Sequence, residues 1–451
     1  MKKVITYGTY DLIHHGHIRL LERAKALGDY LIVGVTSDAY DRERGKINGN
    51  QTVSERIKNV EKLGIADQII IEEYDGQKID DIIKYGVDIF TVGSDWNGKF
   101  DYLKEYCDVV YLDRTEGVSS SQIRSDKQRV RIGIIGESTL TYKFNNECKF
   151  VNGAEISGLC YENELENKDI SRQFSFVTSN YDELLDVSDA VYVVSHPSKH
   201  YEHVKKALLM KKHVICESPI ASTEVEYDEL IELAKENSVV LMDSIKTAYS
   251  LAYQRLILLL KTGKIGKIVS VDATCTSIRD YDLKNEKLLS SRWGSYSAWG
   301  PTALLPIFQL LGTDYINVNY NVIYGNEKKS FDIFTNINFI YDSAIASIKV
   351  GNGVKSEGEL VVSGTKGYAY VPAPWWKSGY FEMRYEDGND SEKFYYKIEG
   401  EGIRYEIVAF LNLINADKKN FYIDRKISKQ FSKFSGNILN KKVKILFNNN
   451  V

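Results

Sequence analysis

The stretch KKVITYGTYDLIHHGHIRLLERAKALGDYLIVGV, Lys2 to Val35, decides the architecture. Val4-Ile5-Thr6-Tyr7 is a short apolar run that reads as a strand. From Ile18 to Leu27 the apolar residues Leu20, Leu21, Ala24 and Leu27 recur at helical spacing, and Gly28 ends the pattern. Tyr30 to Val35 is almost continuously β-type, as strands buried in a parallel sheet usually are. Strand, helix and strand in that order make the crossover unit of a parallel sheet. Between the first strand and the helix stands His14-His15-Gly16-His17, three of the chain's seven histidines. Open parallel sheets bind ligands at the carboxyl ends of their strands. A helix N-terminus there offers unpaired N–H groups and partial positive charge to a phosphate. Gly16 lets oxygens approach the backbone. His14 and His17 would donate charge-assisted hydrogen bonds to it, worth about 1.5–3 kcal/mol each.

Outward from this unit the alternation continues. Ile69-Ile70-Ile71, Ile89 to Val92 and Val109 to Leu112 read as three further strands, with helices at Ser54 to Leu63 and Ile79 to Tyr85. Five strands in a βα array predict a doubly wound parallel sheet. A charged junction, Arg124 to Arg131, leads into a second series. Its strands are Val130 to Ile135, Glu155 to Cys160, Ala190 to Val194, Val214 to Cys216 and Val239 to Met242; its helices are Tyr201 to Met210 and Val225 to Glu236. From about Ala252 the pattern changes to longer alternating strands, such as Ile268 to Cys275 and Ala344 to Val350, which predict an α+β unit with an open sheet. Arg425 to Val451 carries seven Lys or Arg and no Asp or Glu, and reads as a solvated tail.

The composition fits a packed soluble protein: 451 residues, 43% hydrophobic and 27% charged. A net charge of −4 argues against nucleic-acid binding by bulk electrostatics. No apolar run approaches the roughly 20 residues of a membrane helix, and the start lacks a signal-peptide pattern, so a cytoplasmic protein is expected. Cys107, Cys148, Cys160, Cys216 and Cys275 form no CxxC pair and no visible metal-ligand set, so buried reduced thiols and no protein-held metal are expected.

Residues 1–125 closely resemble the glycerol-3-phosphate cytidylyltransferase family of HxGH nucleotidyltransferases. The resemblance rests on residues 2–35, on RERGK at 42–46, and on GSDWNGKFDYLKEYCDVVYLDRTEGVSSSQIR at 93–124. The RTEGVSS segment is the discriminating one, being similar to the RTxGISTT signature of cytidylyltransferases; adenylyl transfer from ATP is the rival within the motif class. Here Arg114 would clamp phosphate, Gly117 permits a tight turn, and Ser119, Ser120 and Ser121 would cap the next helix. The resemblance implies catalytic roles for His14, His17, Lys46 and Arg114. It implies a CTP site lined by Thr9, Tyr10, Asp11, His14, Gly16, His17, Lys46, Asp95, Trp96, Arg114, Thr115, Gly117, Val118, Ser119, Ser120 and Ser121. It implies acceptor contacts from Arg44, Arg56 and Lys78. Tyr10 stands where the family commonly has Phe, Arg44 where it has Lys, and Ser94 where it has Asp. The implied reaction is attack by an acceptor phosphate oxygen on the α-phosphate of CTP, with Mg²⁺ on the triphosphate and pyrophosphate leaving. The CDP-polyol, CDP-glycerol first of all, would feed teichoic-acid-like or capsular polymers.

Residues 130–425 resemble the Gfo/Idh/MocA oxidoreductases. The matching stretches are RIGIIG at 131–136, SDAVYVVSHPSKHYEHVKKALLMKKHVICESPIA at 188–221 and LLKTGKIGKIVSVDAT at 259–274. Of the dinucleotide glycines only Gly136 is present, with Ser138 and Thr141 in the other two positions. Tyr161 stands where a ribose-binding acid is usual, with Glu162 the nearest carboxylate. The family's Glu-Lys-Pro becomes Glu217-Ser218-Pro219, and its Asp-x-x-x-His pair falls on Pro306 and Leu310. His200 is kept, and Lys246 is the nearest replacement lysine. The expectation is lost dehydrogenase activity, no tight NAD(P) binding, and a role as dimerisation platform, sensor or scaffold, with a homodimer through the open sheet. The alternative is a working reductase that supplies an alditol phosphate to the first domain. The expected fold class is α/β: a Rossmann-like HxGH nucleotidyltransferase domain (1–126), a Rossmann domain (129–250), an α+β open-sheet domain (251–425) and a basic tail (426–451).

Overall fold

The computed structural model describes residues 1–11, 13, 15–43, 51, 53–74, 76–113, 129–161, 173–279, 293–326, 328, 330–415 and 421–446. The chain forms two compact units, Met1–Arg129 with Lys149–Gly153, and Val130–Cys148 with Ala154–Val451.

In the first unit the order is β1 (Lys3–Gly8), α1 (His15–Lys25), β2 (Tyr30–Thr36), α2 (Asp38–Glu43), α3 (Val53–Leu63), β3 (Gln68–Glu72), α4 (Gln77–Tyr85), β4 (Ile89–Gly93) and β5 (Asp108–Leu112). The sheet order is β3-β2-β1-β4-β5, with every pair parallel, β1 against β2 in the register Lys3↔Tyr30. Alternation along β1 builds both layers. Val4 packs with Leu21, Ala24, Leu31 and Val60 on the side of α1 and α3. Ile5 packs with Ile32, Ile82, Phe90 and Leu103 on the side of α4. The strand order reverses between β1 and β4, so a crevice opens beyond their carboxyl ends.

The second unit begins with β6 (Val130–Ile135), α5 (Thr139–Cys148), β7 (Ala154–Cys160), β8 (Val177–Thr178), α6 (Tyr181–Asp186), β9 (Ala190–Val193), α7 (Pro197–Leu209), β10 (His213–Glu217), α8 (Glu224–Glu236) and β11 (Leu241–Ser244). These strands form a parallel sheet ordered β11-β10-β9-β6-β7-β8. Helices α9 (Lys246–Tyr249) and α10 (Leu251–Lys261) lead to β12 (Ile268–Ile278), α11 (Ser295–Leu311), β13 (Asn317–Tyr324), β14 (Asp332–Ile340), β15 (Ile345–Gly351), β16 (Gly353–Val354), β17 (Leu360–Gly364), β18 (Tyr368–Val371), β19 (Tyr380–Arg384) and β20 (Glu392–Tyr395). The chain then forms α12 (Ile403–Asn415), α13 (Arg425–Leu439) and β21 (Lys444–Leu446). The large sheet runs β20-β19-β18-β17-β12-β15-β14-β13-β21, with β16 against β12.

Two expectations change here. The basic segment from 426 is not a solvated tail. In α13 Ile427, Phe431, Phe434 and Ile438 are buried, a helical stripe that a charge count hides. Asp424 caps this helix, accepting from the Lys426 N–H at 2.7 Å, and β21 pairs in parallel with β13, Asn321↔Lys444. Nor is 250/251 a boundary between compact bodies. Helix α12 returns to pack on α5 and α9, and α13 packs on α8 and α11. The buried Arg404 guanidinium donates to Glu147 at 2.7 Å across that return. The strand expected at Val239–Met242 starts two residues later, and the expected strand-rich region opens with α10. Cys148, Cys160, Cys216 and Cys275 are buried free thiols and Cys107 is partly buried. Among the described residues no helix is long and apolar enough to cross a membrane.

Candidate active site

β1 ends at Gly8, and the chain turns through Thr9, Tyr10 and Asp11 before α1. Tyr10 has φ of 53°, a left-handed conformation that bulky residues avoid. Its buried ring lies edge-on to the His17 imidazole, 5.5 Å between centroids. Burial raises the Tyr10 phenol, the Thr6 hydroxyl working the other way, so Tyr10 is a neutral wall that orients His17. Gly16 and His17 occupy the first turn of α1, with its unpaired N–H groups. Across the β1/β4 reversal, β4 runs into a single 3-10 turn, Ser94–Trp96, that contains Asp95. Trp96 is exposed, and the Lys99 ammonium lies 4.5 Å from its ring centroid. The histidine turn and the tryptophan turn thus flank one crevice.

Arg56 departs from the expectation that it meets the acceptor. It is 2% exposed. It donates to the carbonyls of Thr9 at 2.6 Å, Thr36 at 2.8 Å and Gln51 at 3.2 Å. It also pairs with Asp38 at 2.5 Å and Asp41 at 3.3 Å. Asp41 in turn accepts from the Thr9 hydroxyl at 3.0 Å, and Asp11 from the Gln51 N–H at 3.1 Å. A guanidinium with its donors so placed is a clamp that fixes the loop after β1 to the end of β2.

Lys78, the other described acceptor candidate, lies in the first turn of α4 and is buried. Its ammonium is ion-paired with Glu72 and sits 4.8 Å from the Tyr7 ring centroid. Glu72, fully buried at the end of β3, also accepts from Thr36 at 3.1 Å. Beside it the Tyr7 hydroxyl donates to Asp81 at 2.9 Å; burial, with Asp81 next to it, pushes the Tyr7 phenol well up. Glu72, Asp38, Asp41 and Asp81 were missed by sequence reasoning. Acidic residues closing an apolar strand, as in QIIIE, were the available signal. His14, Arg44, Lys46, Arg114, Thr115, Gly117, Val118, Ser119, Ser120 and Ser121 lie outside the described residues.

In the second unit the dinucleotide turn survives in shape but is occupied from within. Gly136 has φ of 107°, and a Cβ there would meet the Ser195 backbone nitrogen at 2.4 Å. Thr141, 0% exposed, accepts from the Ser138 N–H at 3.1 Å and donates to the Gly136 carbonyl at 3.0 Å. The Ser138 hydroxyl accepts from the Leu140 N–H at 3.1 Å. Two amides at the α5 N-terminus are therefore already bonded by side chains, where a pyrophosphate needs open N–H groups. The residues present do not fit a nicotinamide dinucleotide. The buried Ser218 donates to Asp243 at 2.6 Å, and burial raises that carboxyl to about 6. Lys246 faces Glu401 at 3.6 Å. The ring nitrogens of His200 each lie 2.9 Å from a backbone carbonyl, of Pro219 and Ser195, and burial lowers its pKa to about 4. Glu217 accepts from Tyr192 at 2.5 Å and from Ser244 at 2.8 Å, and burial raises its carboxyl. Tyr161 is half-buried, Glu162 lies outside the described residues, and Pro306 and Leu310 sit on α11.

The family described as cytidylyltransferase-like matches residues 5–126. A glycerol-3-phosphate cytidylyltransferase of Bacillus spizizenii is 51% identical over 126 residues, 28% of this chain and 97% of that protein. The chain belongs to the cytidylyltransferase-like family. As a cytidylyltransferase-like protein it is a nucleotidyltransferase, and it carries a second family in the same chain. Residues 130–244 match the oxidoreductase family with an NAD-binding Rossmann fold. The uncharacterized oxidoreductase YgjR of Escherichia coli is 33% identical over 148 residues, 31% of this chain and 44% of that protein. The solved structure of KijD10, a 3-ketoreductase from Actinomadura kijaniata in complex with NADP and TDP-benzene, superposes with a TM-score of 0.62 at 17% identity, covering 71% of this chain and 99% of that one. At that identity the likeness concerns the fold.

Proposed function

We propose that the first unit transfers cytidylyl from CTP to a polyol phosphate, sn-glycerol 3-phosphate first of all, releasing pyrophosphate. The observation that carries this is the histidine turn held at the β1/β4 reversal, opposite Trp96, in a unit half identical to glycerol-3-phosphate cytidylyltransferase. An acceptor phosphate oxygen attacks the α-phosphorus in line, and the bond to the β-phosphate oxygen breaks. His17 donates to the crowded phosphate, assisted by the α1 N-terminus, while Tyr10 fixes the ring. His14, Lys46 and Arg114 complete the charge stabilisation. Thr9, Asp11, Gly16, Asp95, Trp96, Thr115, Gly117, Val118, Ser119, Ser120 and Ser121 line the nucleotide. Arg44 and Lys78 take the acceptor phosphate, Lys78 after exchanging Glu72 for it. Such a reaction needs positioning and electrostatics rather than a covalent intermediate. Mg²⁺ carried by the triphosphate would neutralise part of its charge, with no protein carboxylate called for to hold it. The protein then works in the cytoplasm and its product supplies a surface polymer. The transferase domain is residues 1–126, followed by one body from residue 129 that runs through α13 and β21.

CTP and ATP, each offered with glycerol 3-phosphate, ribitol 5-phosphate and other alditol phosphates, test this reading. Product from CTP and glycerol 3-phosphate is expected. Product from ATP alone sinks the cytidylyl reading. A five- or six-carbon acceptor preferred by more than about 100-fold, roughly 2.7 kcal/mol, changes the acceptor.

The second unit, on this reading, is not a working dehydrogenase, and the reductase alternative has the filled turn against it. Each lost hydrogen-bond partner costs about 1–3 kcal/mol, so two or three losses move a micromolar cofactor to the millimolar range. Titration of the full chain with NADPH is expected to give no micromolar binding. Micromolar binding with steady NADPH oxidation on ribulose or xylulose phosphate would restore the bifunctional reading. The unit instead pairs copies of the chain through the sheet face that exposes Ile345, Tyr368 and Tyr395.

A further inference from the structure

The first unit takes in five residues from far along the chain, Lys149–Gly153, which lie between α5 and β7 in sequence. They fall beyond the cytidylyltransferase-like match and inside the oxidoreductase one. Val151, 3% exposed, anchors the segment. Gly153 has φ of 85°, a left-handed conformation that suits glycine and lets the chain turn before β7.

Asn152 is the residue of this segment that reaches the histidine loop. Its side-chain amide donates to Asp11 Oδ2 at 3.3 Å, while Asp11 Oδ1 accepts from the Gln51 N–H at 3.1 Å. Asp11 is 9% exposed, and a carboxylate so buried needs donors to hold its charge. Asn152 supplies one to the oxygen opposite the one that Gln51 serves. The loop after β1 is thereby tied at three successive residues. Arg56 holds the Thr9 carbonyl, the Tyr10 ring lies against His17, and Gln51 and Asn152 hold Asp11. Of these ties, the one from Asn152 comes from outside residues 1–126.

We propose that Asn152 is a positioning residue of the transferase site. It holds the Asp11 carboxylate, and through it the histidine loop, in the form that receives the nucleotide. A stretch of oxidoreductase-type sequence thereby serves cytidylyl transfer. The inference rests on the transfer reaction proposed above and adds to it a residue that the transferase domain itself lacks.

Kinetics on the full chain test it. Asn152→Leu, similar in size but without the donor, is expected to lower kcat/KM for CTP about tenfold or more, the scale of one hydrogen bond to a charged group. KM for the polyol phosphate should hold. Asn152→Asp keeps the shape but sets a second carboxylate against Asp11, and should cost more than the leucine change. Asn152→Gln keeps an amide and should recover part of the rate. In an Asp11→Ala chain the leucine change should add less than about twofold, because residues acting through one contact are not additive. Hydrogen exchange at residues 9–11 of the nucleotide-free chain is the second readout. Asn152→Leu should speed it about tenfold, with β4 and β5 as protected as before. A merely structural Asn152 would lower the inactivation temperature of its variants and leave kcat/KM in place. Absence of transfer in the unaltered chain overturns the transfer reading, and exchange at residues 9–11 then decides the hold on Asp11. Asn152→Leu within about twofold of the unaltered kcat/KM, full additivity with Asp11→Ala, or unaltered exchange overturns the proposal.

Discussion

Replacing His17 by alanine is expected to lower CTP-dependent pyrophosphate release about a hundred- to a thousandfold while the chain still folds. Deleting one preorganised donor to a transition-state oxyanion typically has that effect. His17 lies in the first turn of α1, half-exposed at the crevice, with the buried Tyr10 ring 5.5 Å away at its edge. Removing the imidazole therefore leaves the apolar layer of Leu21 and Ala24 intact. The check is steady-state kinetics beside thermal unfolding. A variant that keeps kcat within a few-fold would deny His17 its role. A variant that loses kcat together with its fold is resolved by His17→Gln, which keeps a donor and should recover part of the rate.

The second large effect concerns Arg56. Arg56→Ala should destabilise the first unit by about 3–5 kcal/mol, the usual cost of removing one partner of a buried ion pair. Asp41 stays buried beside the cavity, and the carbonyls of Thr9 and Thr36 lose their donor. Arg56→Lys should fall between, since one ammonium cannot reach three carbonyls and two carboxylates. The measurement is the temperature at which transferase activity is lost irreversibly, which follows this unit rather than the whole chain. If Arg56 met the acceptor instead, the inactivation temperature would hold and KM for the polyol phosphate alone would rise.

Where the sequence was informative, local pattern and global fold agreed. The strands around Val4–Tyr7 and Tyr30–Val35 are apolar on both sides because helices cover both faces, so the parallel sheet was readable from them alone. The histidine turn was readable because its position after the first strand fixes its place in the sheet. Arg56 was misread because its partners, two carboxylates and three carbonyls, converge only when α2 and α3 fold against β2. The clamp exists in three dimensions and leaves no spacing in the chain. Glu72 with Lys78 is hidden for the same reason. The segment from Arg425 was misread because seven cations outweigh four buried apolar residues in any count, whereas periodicity weighs them differently. Helix α11 contains Pro301 and Pro306, each a helix breaker by local rule, and packing on β12, β14 and β15 overrides them.

The pairing of Lys444–Leu446 with Asn321–Ile323 also imposes an order in time. All five strands of the first unit lie before Asp113, and the latest segment packed with them is Lys149–Gly153, so this sheet is free to form while the ribosome is still at work. The large sheet has no such freedom. Until α13 and β21 emerge, α11 lacks the helix packed against it and β13 presents an unpaired edge. Bare edges of that kind recruit other chains, and long-range pairings form slowly. The nascent protein then carries an adhesive, unfinished sheet, and its yield in a cell depends on how soon synthesis reaches β21.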